Sequence, residues 1–235
     1  MKLALASTLF LCAVTPVPVF AQDELTPSID SADLTPNAKW LIGEFERRYE
    51  SEAALVEEVG RLHARDQYVR DLIIDMFNRE QMTLEDREQF IAGTEDIFER
   101  VDRENTEALK GILAEYNMDK IAMFNPDLLM QMFHIVQHSP DEEFQADMLP
   151  EFQQLAESGK IDQQAYALLY DRVTLQQGGA QRYGTQYNCI AGEWSTTPPV
   201  EDPETLDERR VALGLTPMAE YMDIARQLYG DCPGE

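Results

Sequence analysis

The chain has 235 residues, 44 of them acidic against 19 Lys and Arg, for a formal charge of −25. Such a surface repels nucleic acid and anionic lipid, so those partner classes are excluded; solubility is the plain reading of the charge. The length allows a substantial core in one or two domains.

Residues 1–21 read as a secretory signal peptide: Lys2 is the charged lead, Leu3 to Val14 is an apolar run too short to span a bilayer, and Val19-Phe20-Ala21 offers a cleavage site. Cys12 lacks the small residue before it that lipid attachment requires, and no later run is long and apolar enough for a membrane span, so no membrane anchor is expected. Cleavage would leave an exported chain of 214 residues with charge −26, periplasmic or secreted. Two cysteines remain, Cys189 and Cys232, and an oxidising compartment would let them pair across 43 positions, contributing roughly 4 kcal/mol through loop closure.

Residues 22–34 are a polar, flexible lead, and a single helical domain is expected over 35–232. Thr35-Pro36 starts a helix carrying Trp40, Leu41, Phe45 and Tyr49, and helical spacing continues over 52–64 and 66–79 with Val69, Leu72, Ile73, Met76 and Phe77 as the inner face. Thr83 with Asp86 forms a capping box for a helix reaching Tyr116. Asn105 lies on its apolar stripe between Val101 and Leu109, where an amide either bonds a neighbouring backbone or faces a site. Asn125-Pro126 opens a helix ending in Gln137-His138, and Ser139 is the expected cap of the next, which Pro150 should split and Gly159 should end.

The stretch from Ala165 to Gln186 is the centre of the pattern. Asp162 caps a helix with Ala165, Leu168, Leu169 and Leu175 on one stripe, Arg172 on that same stripe and Asp171 at its edge. A guanidinium there needs a partner, since an unpaired buried charge is very costly. Gly178-Gly179 ends the helix, and the alternation of Gln181, Tyr183, Thr185 and Gln186 fits a strand. Residues 181–190 and 193–200 form a hairpin about Ala191-Gly192, and short helices follow over 204–213 and 217–228. The fold class is mainly α, with one short β-hairpin near the C-terminus.

His134 and His138 share a helical face, but no third ligand is identifiable and no metal or cofactor is assigned. No nucleophile elbow or phosphate-cradling loop is present. His138 ends its helix, where the dipole favours an imidazolium. Read functionally, His138 is a general acid or base oriented by Asp171, with Arg172 or Gln186 holding an anionic group.

The runs Val101 to Thr106, Val136-Gln137-His138, Asp171-Arg172-Val173 and Gln181-x-Tyr183-Gly184-Thr185-Gln186, together with Asp207-x-Arg209-Arg210, resemble a bacterial family of domains of unknown function over residues 60–225. The resemblance implies a mostly helical fold and no assigned activity. Asn105, Gln137, His138, Asp171, Arg172, Gln181, Tyr183 and Gln186 match its polar motifs. His134 departs from an aliphatic position and Phe133 from a common tryptophan. Two readings follow. One is a pocket for a small polar or anionic ligand, extending to hydrolysis with His138 as base. The other is a non-catalytic interaction or structural module in which the same residues form a buried network.

Overall fold

The computed structural model describes residues 34–77, 83–190 and 192–229. The expected signal peptide, nearly all of the polar lead, and Cys232 lie outside them. The chain divides into two units within its first helix, so that 34–57 belong to one and 58–229 to the other. In order, the helices are α1 (Pro36–Phe77), α2 (Leu84–Glu115), α3 (Met118–Phe124), α4 (Asp127–His138), α5 (Glu142–Glu157) and α6 (Gln163–Gln176). Strands β1 (Tyr187–Ile190) and β2 (Glu193–Thr196), a short 3-10 turn, α7 (Leu206–Ala212) and α8 (Met218–Tyr229) follow. The described residues are mainly helical with one two-stranded antiparallel hairpin. Among the described residues, no helix is long and apolar enough to cross a membrane.

In the first unit α1 leaves Phe45 69% and Tyr49 65% exposed, their rings stacked at 6.4 Å. In the second unit α4 is central. Leu128, Leu129, Met132, Phe133, Ile135 and Val136 are all buried, because the helix packs on α2, α3, α5 and α6 rather than on one neighbour. Phe133 meets Phe152 of α5 edge-on at 5.5 Å. The C-terminal half of α1 buries Val59, Leu62 and Ile73, whereas Leu72, expected on the inner face, is 38% exposed. Tyr187, Tyr221, Met222 and Ala225 form a further cluster where the hairpin meets α8, with Trp194 and Met218 against it.

Local chemistry explains the boundaries. The Thr83–Asp86 capping box is present in both directions, and Asp162 accepts from Gln164 N at 2.7 Å. Three expectations are corrected. The cap of α5 is Asp141, which accepts from Phe144 N at 2.9 Å, while Ser139 turns its hydroxyl to Asp141 N and Thr106. Pro150 does not split α5, for it lies on the exposed side, where water can hydrate the carbonyl left without a donor. The strand begins only at Tyr187. Residues 182–185 instead wrap a carboxylate, and Gln181 makes an isolated parallel bridge with Val200.

Candidate functional site

The polar motif residues separate into two networks. The first is built on Asp171 of α6, which is 0% exposed. One carboxylate oxygen accepts from Arg182 N at 2.7 Å and Tyr183 N at 3.1 Å, and the other accepts from Thr185 N at 2.9 Å. Three backbone donors can converge on one side chain only if the chain turns sharply around it. Gly184, at φ 63°, makes that turn. Burial raises the Asp171 carboxyl above its usual range, and the three amides act against that rise.

The turn is held from its other side by cations. Arg210 of α7, 2% exposed, donates to the Tyr183 carbonyl at 2.6 Å and the Thr216 carbonyl at 2.6 Å, with its guanidinium 4.6 Å from the Tyr221 ring. Arg209 donates to the Arg182 carbonyl at 2.8 Å, and the Tyr221 hydroxyl to the Thr185 carbonyl at 3.1 Å. The Tyr183 residue therefore bridges a buried anion through its N–H and a buried cation through its C=O. Gln181, also 0% exposed, donates to the Gln186 carbonyl at 2.9 Å and accepts from Gln186 N at 2.8 Å, a closed pair spanning the turn. Gln186 donates to the Leu168 carbonyl at 3.3 Å, and the Tyr183 ring packs edge-on against Tyr170 at 5.8 Å.

The second network joins α1, α2 and α4. His138 Nδ1 lies 2.8 Å from an Asp66 oxygen, and the two side chains are 4% and 1% exposed. Arg70 bridges Asp66 at 3.0 Å to Asp102 at 3.0 Å. His63 Nε2 meets His134 Nδ1 at 2.9 Å with the rings only 17° apart, a nearly in-plane hydrogen bond. Asn105 donates to the Leu62 carbonyl at 3.1 Å, and its buried Oδ1 has no partner among the described residues. Gln137 is buried, and Gln145 donates to its carbonyl and to that of Val136, closing the end of α4.

Burial works to raise the Asp66 carboxyl, but His138, Arg70 and Gln67 outweigh it and hold the group below the usual range. Burial and Arg70 press the His138 imidazole well below its ordinary value despite Asp66. The carboxylate can only accept, so Nδ1 carries a proton and donates it to Asp66. Burial and His63 lower His134 to about 4. Burial raises Asp102 to about 6 against the pull of Arg70. Burial, with Arg70 acting the same way, lowers Arg172 to about 10, while Tyr221 and Asp102 act in the other direction.

His138 and Asp171 therefore do not work as a pair: Asp66 takes the orienting position beside His138, and Asp171 is committed to the 182–185 turn. Gln181, Tyr183 and Gln186 join Asp171, whereas His138 and Asn105 join α1. The residues missed by sequence reasoning are His63, Asp66, Arg70, Asp102 and Arg210. Asp66 and Arg70 fall on the same stripe of α1 as Val59, Leu62 and Ile73, the same signal that Arg172 carries on α6. Among the described residues, no group of three or more His, Cys, Asp or Glu could hold a metal ion.

The described residues thus form a mainly helical fold in which Asp171, Gln181, Tyr183 and Gln186 share one network, while His138, Asn105 and Gln137 bond to other partners. The chain belongs to the family of unknown function DUF6624, which matches residues 69–232. No curated protein and no solved structure matches it. His63 and Asp66 precede the matched stretch.

Proposed function

We propose that this chain is an exported, non-catalytic structural or interaction module, in which the polar motif residues act by fixing helices α6 and α7 to the segment that leads into the hairpin. The observation that carries this is the Asp171 carboxylate, fully buried and filled by three backbone amides, with no bond left for a ligand to replace without opening the turn. A binding carboxylate is held at some cost to stability, and its removal leaves the fold unharmed or firmer. A structural one cannot be removed cheaply. Asp171→Asn places an NH2 group against at least one backbone donor. The expected loss is about 3 kcal/mol in urea unfolding at pH 7. No loss, or a gain, would remove the proposal.

Export is part of the proposal, supported by the apolar Leu3–Val14 run and the small residues before Gln22. It includes pairing of Cys189, which lies in β1 opposite Trp194, with Cys232. A second reading, a ligand or hydrolytic site on His138, is favoured by one observation, the Asp66 carboxylate on Nδ1 that would poise Nε2 as a base. His138→Gln decides between them. The structural reading expects a loss above ~2 kcal/mol, whereas the site reading expects none.

A further inference from the structure

We propose that the seat of α1 on α2 and α4 is an acid-sensitive joint, in which proton uptake by three clustered histidines loosens residues 58–77 of α1 from the rest of their unit. All three histidines of the chain lie in this cluster. From α1 the groups facing it are His63, Asp66, Gln67 and Arg70; from α2, Asp102 and Asn105; from α4, His134 and His138; from α6, Arg172. Arg65 and Glu104 pair at its rim at 2.5 Å.

Geometry supplies the sensitivity. The His63–His134 contact at 2.9 Å requires one ring nitrogen to accept, so protonating both rings sets two N–H groups against each other. His138 stacks near His134, with centroids 6.4 Å apart, so its proton adds charge beside the same pair. Arg70 and Arg172 already bring two part-buried cations, and two carboxylates balance them when the histidines are neutral. The sign follows from linkage. Imidazoles held below their free value take up protons more readily when α1 is detached, so their contribution is complete above about pH 6.5 and is lost as pH falls below it. Asp102, held up near 6, takes a proton more readily when packed and offsets about one of those three.

The test is amide hydrogen exchange of the mature chain between pH 7.5 and 5.0, corrected for intrinsic rates, with α5 and α6 as internal reference. Protection over 58–75 is expected to fall on the order of ten- to hundredfold per pH unit below about 6.5, from one to two net protons, while α5 and α6 hold. The double variant His63→Asn, His134→Asn should flatten that slope. Independently of whether it folds, the wild-type imidazole C–H resonances should show none of the three titrating near its free value. Protection in α1 that ignores pH, a double variant with the wild-type slope, or imidazoles titrating near 6.5 would each overturn the proposal.

Discussion

Arg210→Met removes the cation that faces Asp171 across the Tyr183 residue. The side chain donates two bonds of 2.6 Å to the carbonyls of Tyr183 and Thr216, and it is buried. Bonds from a charged donor are worth about 1.5–3 kcal/mol each, so the pair represents roughly 3–6 kcal/mol. Methionine recovers part of this, because burial already opposes the guanidinium and lowers its pKa. Against that, Asp171 is left as a buried anion without the cation that faces it across the Tyr183 peptide. The expected net loss is about 3–5 kcal/mol, a large share of the ~5–15 kcal/mol that holds an ordinary domain. Urea unfolding at pH 7, with a slope of about 2 kcal/mol/M, should move its midpoint down by about 2 M. Arg210→Lys keeps the charge but not the fork that spans two carbonyls, and about half the loss should remain. A double-mutant cycle with Asp171→Asn should show coupling of at least ~1 kcal/mol, since both act through the same peptide segment. A loss below ~1 kcal/mol for Arg210→Met would refute the reasoning.

Gly184→Ala should cost roughly 1–3 kcal/mol in the same assay, because φ is 63° and the added methyl would meet Thr196 Cγ2 at 3.1 Å and Leu206 Cδ2 at 3.2 Å. Pro150→Ala should stabilise by about 1–3 kcal/mol, restoring a donor on the exposed face of α5, and thermal unfolding should shift upward. For the Cys189–Cys232 pairing proposed with export, a non-reducing peptide map of the secreted chain should yield the two cysteines in one linked fragment; separate fragments would contradict it.

What was legible in the sequence was local. The Thr83–Asp86 box, the Asp162 cap and the two-residue connection before Glu193 depend on neighbours within a few positions. The Ser139 expectation failed narrowly, because a serine and an aspartate stood two apart and tertiary packing gave the serine hydroxyl to Thr106. The polar motif residues fall into two networks, and the partner of each is set by residues far along the chain. His138 and Asp66 are 72 positions apart, and Arg210 and Tyr183 are 27 apart. No periodicity encodes such pairings. The alternation at 181–186 imitated a strand, but the segment is buried without a break from Tyr183 to Tyr187 because its backbone wraps a carboxylate.

The central claim is that the Tyr-Gly-Thr-Gln segment is closed around Asp171 rather than open to a ligand. The most direct measurement is native-state hydrogen exchange of the Arg182, Tyr183 and Thr185 amides at pH 7 in rising urea. The account predicts that all three exchange only through the opening that unfolds α6, with the same free energy and the same urea dependence. Exchange of these amides through a separate, low-energy opening while α6 stays protected would show a mobile segment poised for a ligand, and would contradict it.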